Sequence, residues 1–359
     1  MNTELEDRLR SVVNRRPPGI AVAVVASDDT RVAAAAGEAD LANGVAASPQ
    51  MVCPWFSMTK IVTATAAMRL VEQGTLDLDA PIAPYIIPFG RLRPEAYARQ
   101  ITARHLLTHS AGLANPIPVR WIHPTDAQTV DQDGFLDRLL TKHGKLQFEP
   151  STKSSYSNLS TLSLGVAMAN LTGTSFPEIV ESQVLQPLGM RNTGFSYSDE
   201  MSTRAATGYH PRRSPMRFLL PRWVIGEPAG RWVSLKRFLL DGQAYGGLVG
   251  SLEDAARFLE MHIRDGKLGD TRILEPGTAR RMREIVAPGR RFDLGLGWFR
   301  PANHRADDPP FVEHLGGGAG FFNVIRTYPT RKVGIAVMGN ATKYDIDAVA
   351  ELALTEDTR

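Results

Sequence analysis

The chain has 359 residues, enough for one large core or for two lobes that share a cleft. Hydrophobic residues make up 43% and charged residues 22%, an ordinary globular balance, and 41 basic against 38 acidic side chains leave a net charge of only +3. No Lys/Arg run interleaved with aromatics is present, which argues against nucleic acid as a partner, and the single cysteine, Cys53, excludes an intrachain disulfide.

The first residues, MNTELEDRLRSVVNRR, place Leu5, Leu9, Val12 and Val13 on one stripe of an amphipathic helix. They hold no apolar core of signal-peptide length, and no later stretch approaches about 18 uncharged apolar residues. The sequence as it stands therefore predicts a cytoplasmic protein with no membrane partner. Next, Ile20 to Ala26 and Arg31 to Ala36 flank Ser27-Asp28-Asp29-Thr30 and read as a β-hairpin. Lys60 to Gln73 is apolar around much of its circumference, the pattern of a helix buried between lobes, and Gly74 ends it. Ser160 to Leu171, Phe176 to Leu185 and Leu252 to Ile263 read as further helices.

From about 196 to 246 the pattern turns irregular, with Pro211, Pro215, Pro221 and Pro228 beside Trp223 and Trp232. A long loop rich in aromatics is more often functional than idle, so a partly mobile wall over a cleft is expected there. Arg212, Arg213, Arg217 and Arg222 in this stretch read as a solvated face. Phe322 to Thr327 and Lys332 to Met338 flank Tyr328-Pro329-Thr330-Arg331 as a second hairpin, and Asp345 to Leu354 has helical spacing. Single hairpins are marginal alone. The pattern thus predicts an α/β plus all-α fold: a central antiparallel sheet built from both chain ends, flanked by helices, with an inserted helical lobe. Residues 1–76 and 245–359 would form the discontinuous sheet domain. Residues 77–244 would form the mainly helical lobe, including a lid-like segment at 196–244.

Three short motifs carry chemistry. Ser57-Met58-Thr59-Lys60 is an S-x-x-K at the start of the buried helix, and residues three apart share a helix face, so hydroxyl and amine can meet. A serine needs a base to take its proton, and a desolvated lysine can serve; the motif alone reads equally well as a helix cap beside a solvated lysine. Tyr156-Ser157-Asn158 precedes the next apolar helix, and a tyrosine beside a buried ammonium can hold a lowered pKa and act as a base. His314-Leu315-Gly316-Gly317 enters a strand whose glycines would let a substrate lie against the edge, with a backbone N–H aimed at a developing oxyanion.

Taken together, these segments resemble the serine β-lactamase and penicillin-binding-protein superfamily. Their order and spacing are similar to the branch holding class C β-lactamases, D-Ala-D-Ala carboxypeptidases and family VIII carboxylesterases. Thr102 to Leu113 (TARHLLTHSAGL), Gln186 to Phe195 and Gly246 to Phe258 also resemble family blocks, and the likeness runs from about Gly19 to Asn340. The resemblance implies a β-lactamase/transpeptidase-like fold and a serine hydrolase. Ser57 would be the acylated nucleophile, Lys60 its activating partner, and Tyr156 the base that also protonates the leaving group. Asn158 would orient substrate, His314 would stand where many relatives have lysine, and the backbone N–H groups of Ser57 and Gly317 would form the oxyanion hole. It implies no metal and no organic cofactor.

One departure sets the substrate expectation. Leu315 stands where β-lactamases and peptidases carry a hydroxyl that binds a carboxylate, which favours a neutral small-molecule ester or amide. A carboxylesterase is the leading expectation. A D-amino-acid amidase or peptidase, a weak β-lactamase, an acyltransferase and a non-turning-over acylated sensor are the alternatives, and no oligomeric state is read. His105 and His109 have the i, i+4 spacing of a zinc pair but lack the glutamate of H-E-x-x-H, so they read as part of a structural block. Cys53 reads as a small buried residue.

Overall fold

The run GIAVAVVA has no polar side chain to turn towards water, and in the computed structural model it forms strand β1 (Gly19–Ala26), buried along its whole length. The structure describes residues 3–13, 17–28, 31–304 and 310–354. Ala21, Ala23 and Val25 of β1 enter one core, while Ile20, Val22 and Val24 enter a second. Burial on both faces of the pleat explains why the run is continuously apolar rather than alternating.

On one side β1 pairs antiparallel with β2 (Arg31–Asp40), and β2 continues to β3 (Val45–Ala46). The remaining strands come from the far end of the chain: β4 (Phe292–Leu294), β5 (Phe299–Pro301), β6 (Val312–Gly318), β7 (Phe321–Tyr328) and β8 (Val333–Gly339). Among the described residues the sheet has eight strands in the order β4-β5-β6-β7-β8-β1-β2-β3, all pairs antiparallel. Both expected hairpins are present, and the sheet is built from both chain ends. Turn residues 29 and 30 of the first hairpin lie outside the described residues.

Helices α1 (Thr3–Val13) and α5 (Ile346–Ala353) cover one face, where Leu5, Leu9, Val349 and Ala353 pack on Ile20 and Val337. The other face packs on α4 (Leu252–Ile263) and, beyond it, on α2 (Thr59–Glu72) and α3 (Asn158–Thr172). Helix α2 is buried from Thr59 through Met68, and Gly74 at φ 71° ends it as the sequence suggested. No helix among the described residues is long and apolar enough to cross a membrane.

The stretch read as irregular is more ordered than expected. Gly208–Pro211, Trp232–Leu235 and Ile225–Ala229 form a three-stranded antiparallel sheet, and Leu239–Leu240 pairs with Ile122–His123 as a two-stranded ribbon. The prolines do not prevent this because they sit where no ladder donor is needed. Pro211 ends a strand, Pro215 opens a 3-10 turn, and Pro228 lies at a register shift in an edge strand.

One ion pair locks β6 to β7 beside the motif glycines. The Arg326 guanidinium donates to Glu313 Oε2 at 2.8 and 2.7 Å and also reaches Asp347, with Arg326 and Glu313 only 3% and 2% exposed. Burial pushes the Glu313 carboxyl up, and Arg326 pulls it back. Arg326→Met strands that carboxyl without a partner and is expected to cost about 3–5 kcal/mol in urea denaturation. The double variant Arg326→Met/Glu313→Leu recovers most of that loss; a lone Arg326→Met as stable as the parent contradicts the account.

Candidate active site

Phe56-Ser57-Met58 form a 3-10 turn that runs directly into α2. Phe56 holds φ 48°, left-handed backbone that a bulky side chain adopts only when its surroundings impose it, at a cost on the order of 1–3 kcal/mol. The turn leaves Ser57 half-buried while Phe56, Met58 and Lys60 are buried. Lys60 Nζ stands 3.0 Å from Ser57 Oγ and donates to the Tyr245 carbonyl at 2.7 Å. The rings of Tyr156 and Tyr245 flank it, with centroids 5.0 and 5.3 Å away. Burial without a compensating carboxylate holds Lys60 well below the ordinary lysine value. Lys60 donates to Ser57 Oγ, and the Ser57 hydroxyl turns to Tyr156.

Tyr156 comes from the other side of the cleft, two residues before α3. Its hydroxyl is hydrogen-bonded with Ser57, and burial pushes the phenol above its ordinary value while Ser57 draws it part of the way back. This reverses the expectation of a lowered tyrosine pKa. Desolvation of the buried phenolate outweighs what the Ser57 hydrogen bond returns. Serine, amine and phenol therefore meet in one cluster.

The neighbouring positions differ in detail. Asn158 begins α3, its N–H donates to Asn115 Oδ1 at 3.0 Å, and its own Oδ1 is buried with no partner among the described residues. The acceptor that tethers Lys60 is the Tyr245 carbonyl. His314 is buried, with its ring 4.7 Å from that of Phe299 and 6.3 Å from that of Tyr156. Its Nδ1 lies 2.9 Å from the Leu315 carbonyl, which can only accept, so Nδ1 bears the proton. Burial and the nearby Lys60 hold the imidazole well below its ordinary value, leaving it neutral.

On β6, residues 314, 316 and 318 face the Ser57 turn. A Cβ at Gly316 would sit 2.1 Å from the Trp55 carbonyl, and one at Gly318 would sit 2.1 Å from the Phe56 ring. These glycines are needed for the strand to approach the turn at all, a requirement that precedes any substrate. Gly317 lies between them, with its backbone at the rim of the cleft. Leu315 is on the opposite face, among the residues of the second core beside Phe322. It removes a hydroxyl, as expected, but the strand pleat turns its bulk away from the cleft.

Beside Phe56 and Gly317 lies a cavity of about 330 Å³ walled by Leu219, Leu220, Phe238 and Leu240. Among the described lining residues the one ionisable side chain is His210, which burial holds below its ordinary value, its Nδ1 2.8 Å from Thr342 Oγ1. Leu219 and Leu220 line this cavity, while the tryptophans of the same stretch do not. Trp223 packs against the main core, Trp232 lies in the second core, and Phe218 is exposed. The Leu239–Leu240 ribbon separates this cavity from another of about 550 Å³ lined by His123, Asp241 and Ala244, and Leu240 faces both.

Two site residues escaped sequence reasoning. Tyr245 acts through its carbonyl, which no side-chain pattern reveals. His109, set aside with His105 as part of a structural block, stacks on Tyr156 with ring centroids 4.8 Å apart. The two histidines do not converge: His105 Nε2 contacts Ser151 Oγ, and His109 Nδ1 accepts from the Ser157 N–H. Cys53 is buried and its thiol is pushed up to about 12, leaving it inert beside Ser57.

The Beta-lactamase family model matches residues 5–357. D-alanyl-D-alanine-carboxypeptidase/endopeptidase AmpH of Escherichia coli K12 is 25% identical over 318 residues, 88% of this chain and 77% of that protein. Esterase EstB of Burkholderia gladioli is 30% identical over 226 residues, 57% of this chain and 55% of that protein. The solved D-amino acid amidase of Ochrobactrum anthropi SV3 superposes with a TM-score of 0.79 at 23% identity, over 99% of this chain and 97% of that one.

Proposed function

Since the chain belongs to the β-lactamase family and is a serine hydrolase of that family, we propose that it is a carboxylesterase acting on neutral esters with an apolar acyl group. The observation that carries this reading is the apolar cavity beside the Ser57 turn. The adjoining 330 Å³ cavity is apolar, and Lys60, His109 and His314 are each held below their ordinary values around Ser57. A β-lactam or peptide C-terminus brings a carboxylate, and a D-amino-acid amide brings an ammonium. Neither finds an opposite charge on the described walls of that cavity, and an unpaired buried charge costs more than 1–3 kcal/mol. A neutral ester meets no such cost. The likeness to an esterase, EstB, supports the same choice.

A buried amine held well below its ordinary value beside a phenol held above its own supports a definite order of proton movement. Ser57 Oγ attacks the ester carbonyl while its proton passes to the Lys60 lone pair 3.0 Å away. The negative oxygen that forms is received by the backbone N–H groups of Ser57 and Gly317. The new ammonium, 5.0 Å from the Tyr156 ring, now favours ionisation of the phenol. Tyr156 therefore gives its proton to the departing alkoxide and recovers one from Lys60 as the C–O bond breaks. Water then repeats the sequence on the acyl-enzyme and returns all three groups to their starting forms. Asn158 orients the substrate through its amide and His314 through its ring edge. The pH profile belongs to the coupled amine–phenol pair, not to either group alone.

Parallel assays test the assignment. A p-nitrophenyl ester series from acetate to octanoate is expected to turn over with kcat/KM rising about fourfold per methylene, the equivalent of about 0.8 kcal/mol, until the cavity is full. Leu220→Trp, which shortens that cavity, is expected to cost the longest ester tenfold or more and to spare acetate. Fast turnover of a chromogenic cephalosporin or of a D-amino-acid amide, with negligible ester cleavage, would falsify the proposal.

A further inference from the structure

His109 engages Tyr156 from three directions. Its carbonyl accepts from the Ser155 N–H at 2.9 Å, and its Nδ1 accepts from the Ser157 N–H at 3.2 Å. Its ring lies against the Tyr156 ring, with centroids 4.8 Å apart and planes inclined by 36°. The two hydrogen bonds bracket Tyr156 along the chain, one on the residue before it and one on the residue after. A histidine that merely filled space would have no reason to hold both neighbours of one residue.

Further features suggest that this arrangement is imposed. His109 follows the short helix Ala103–Leu107 with φ 52°, left-handed backbone that persists only where its surroundings demand it. That conformation points its carbonyl and its ring at the same segment. A ring nitrogen that accepts a backbone N–H carries no proton, so the imidazole is the Nε2–H tautomer. It stays so, because burial and Lys60 push its pKa down to about 3. The titratable groups around it are Lys60, Tyr156 and His314. A protonated Nδ1 would face the Ser157 N–H donor to donor and release the bracket.

We propose that His109 is the positioning residue for Tyr156, fixing how far the phenol reaches towards Ser57. The proposal rests on the reading that Tyr156 moves the proton between Lys60 and the leaving group. A misplacement of about 1 Å at such a group costs about 10²-fold in rate, and two backbone bonds plus a stacked ring are what suppress it.

The test uses the full chain with a p-nitrophenyl ester and three variants. His109→Phe keeps a ring and loses the acceptor. His109→Asn places an amide oxygen near the Nδ1 position and loses the ring. Tyr156→Phe removes the proton itself. We expect His109→Phe to lower kcat by about 10- to 100-fold with KM changed less than about twofold. His109→Asn should restore a large part of kcat. Urea midpoints are measured alongside, and should His109→Phe fail to fold, His109→Asn and His109→Gln carry the comparison. Full kcat in His109→Phe while Tyr156→Phe is inactive overturns this inference alone. A loss in kcat and KM together with no rescue by asparagine also overturns it, since that marks a residue needed only for packing. Full activity in Tyr156→Phe removes the proton-transfer reading and this inference with it.

Discussion

Alanine at position 57 is expected to lower kcat/KM for a p-nitrophenyl ester by about 10⁴- to 10⁶-fold, the range seen when a hydrolase loses its nucleophile. The expectation follows from how the site is built. Phe56 is held in left-handed backbone, the turn presents Ser57 alone at the cleft, and the chain's single thiol, on Cys53, is buried and raised to about 12. No neighbouring side chain can substitute. Backbone N–H groups survive the substitution, so a residue of rate above that of water remains. Labelling by a fluorophosphonate, read as a mass shift on intact protein, should vanish in the same variant. Retention of even a tenth of the parent activity would sink the assignment of Ser57.

Lys60→Met should act in opposite directions on rate and on stability. Removing the proton acceptor is expected to cost about 10²- to 10⁴-fold in kcat. The same change replaces a buried amine by a thioether of similar length in the middle of a helix buried from Thr59 through Met68. In the unfolded chain a lysine keeps its proton up to its ordinary value of 10.5, whereas the buried amine loses it at a much lower pH. Between those two values the unfolded state binds one proton more than the native state, so stability falls as pH drops through the window. Methionine abolishes that slope. The variant should therefore be more stable than the parent in urea at pH 7, with the margin shrinking as the pH approaches 10.5. A variant that is less stable at pH 7, or whose margin grows with pH, would show that Lys60 is charged in the native state.

What could be read from the chain, and what could not, divides along physical lines. Continuous apolar runs announce burial, which is why β1, the two hairpins and α2 were legible. Side-chain chemistry at fixed spacing announces itself too, and Ser57, Lys60 and Tyr156 do converge. Backbone roles leave no such trace: the Tyr245 carbonyl that holds Lys60 could have come from any residue at that place. Charge states are collective. A tyrosine beside a buried amine reads as acidic in the sequence, and burial of the phenol itself raises it instead. Leu315 was read as facing substrate because its motif partners do, and the pleat sends it the other way. The prolines between 211 and 228 hid a small sheet because their tolerance depends on pairing that only the fold decides.

The two-residue ribbon of Leu239–Leu240 on Ile122–His123 has a bearing on how such a protein diversifies. It stands as a partition with a vacant compartment on either side, and Leu240 belongs to both. Trimming that leucine is expected to join the two compartments without touching any proton-carrying group, so the width of the acyl space hangs on one side chain.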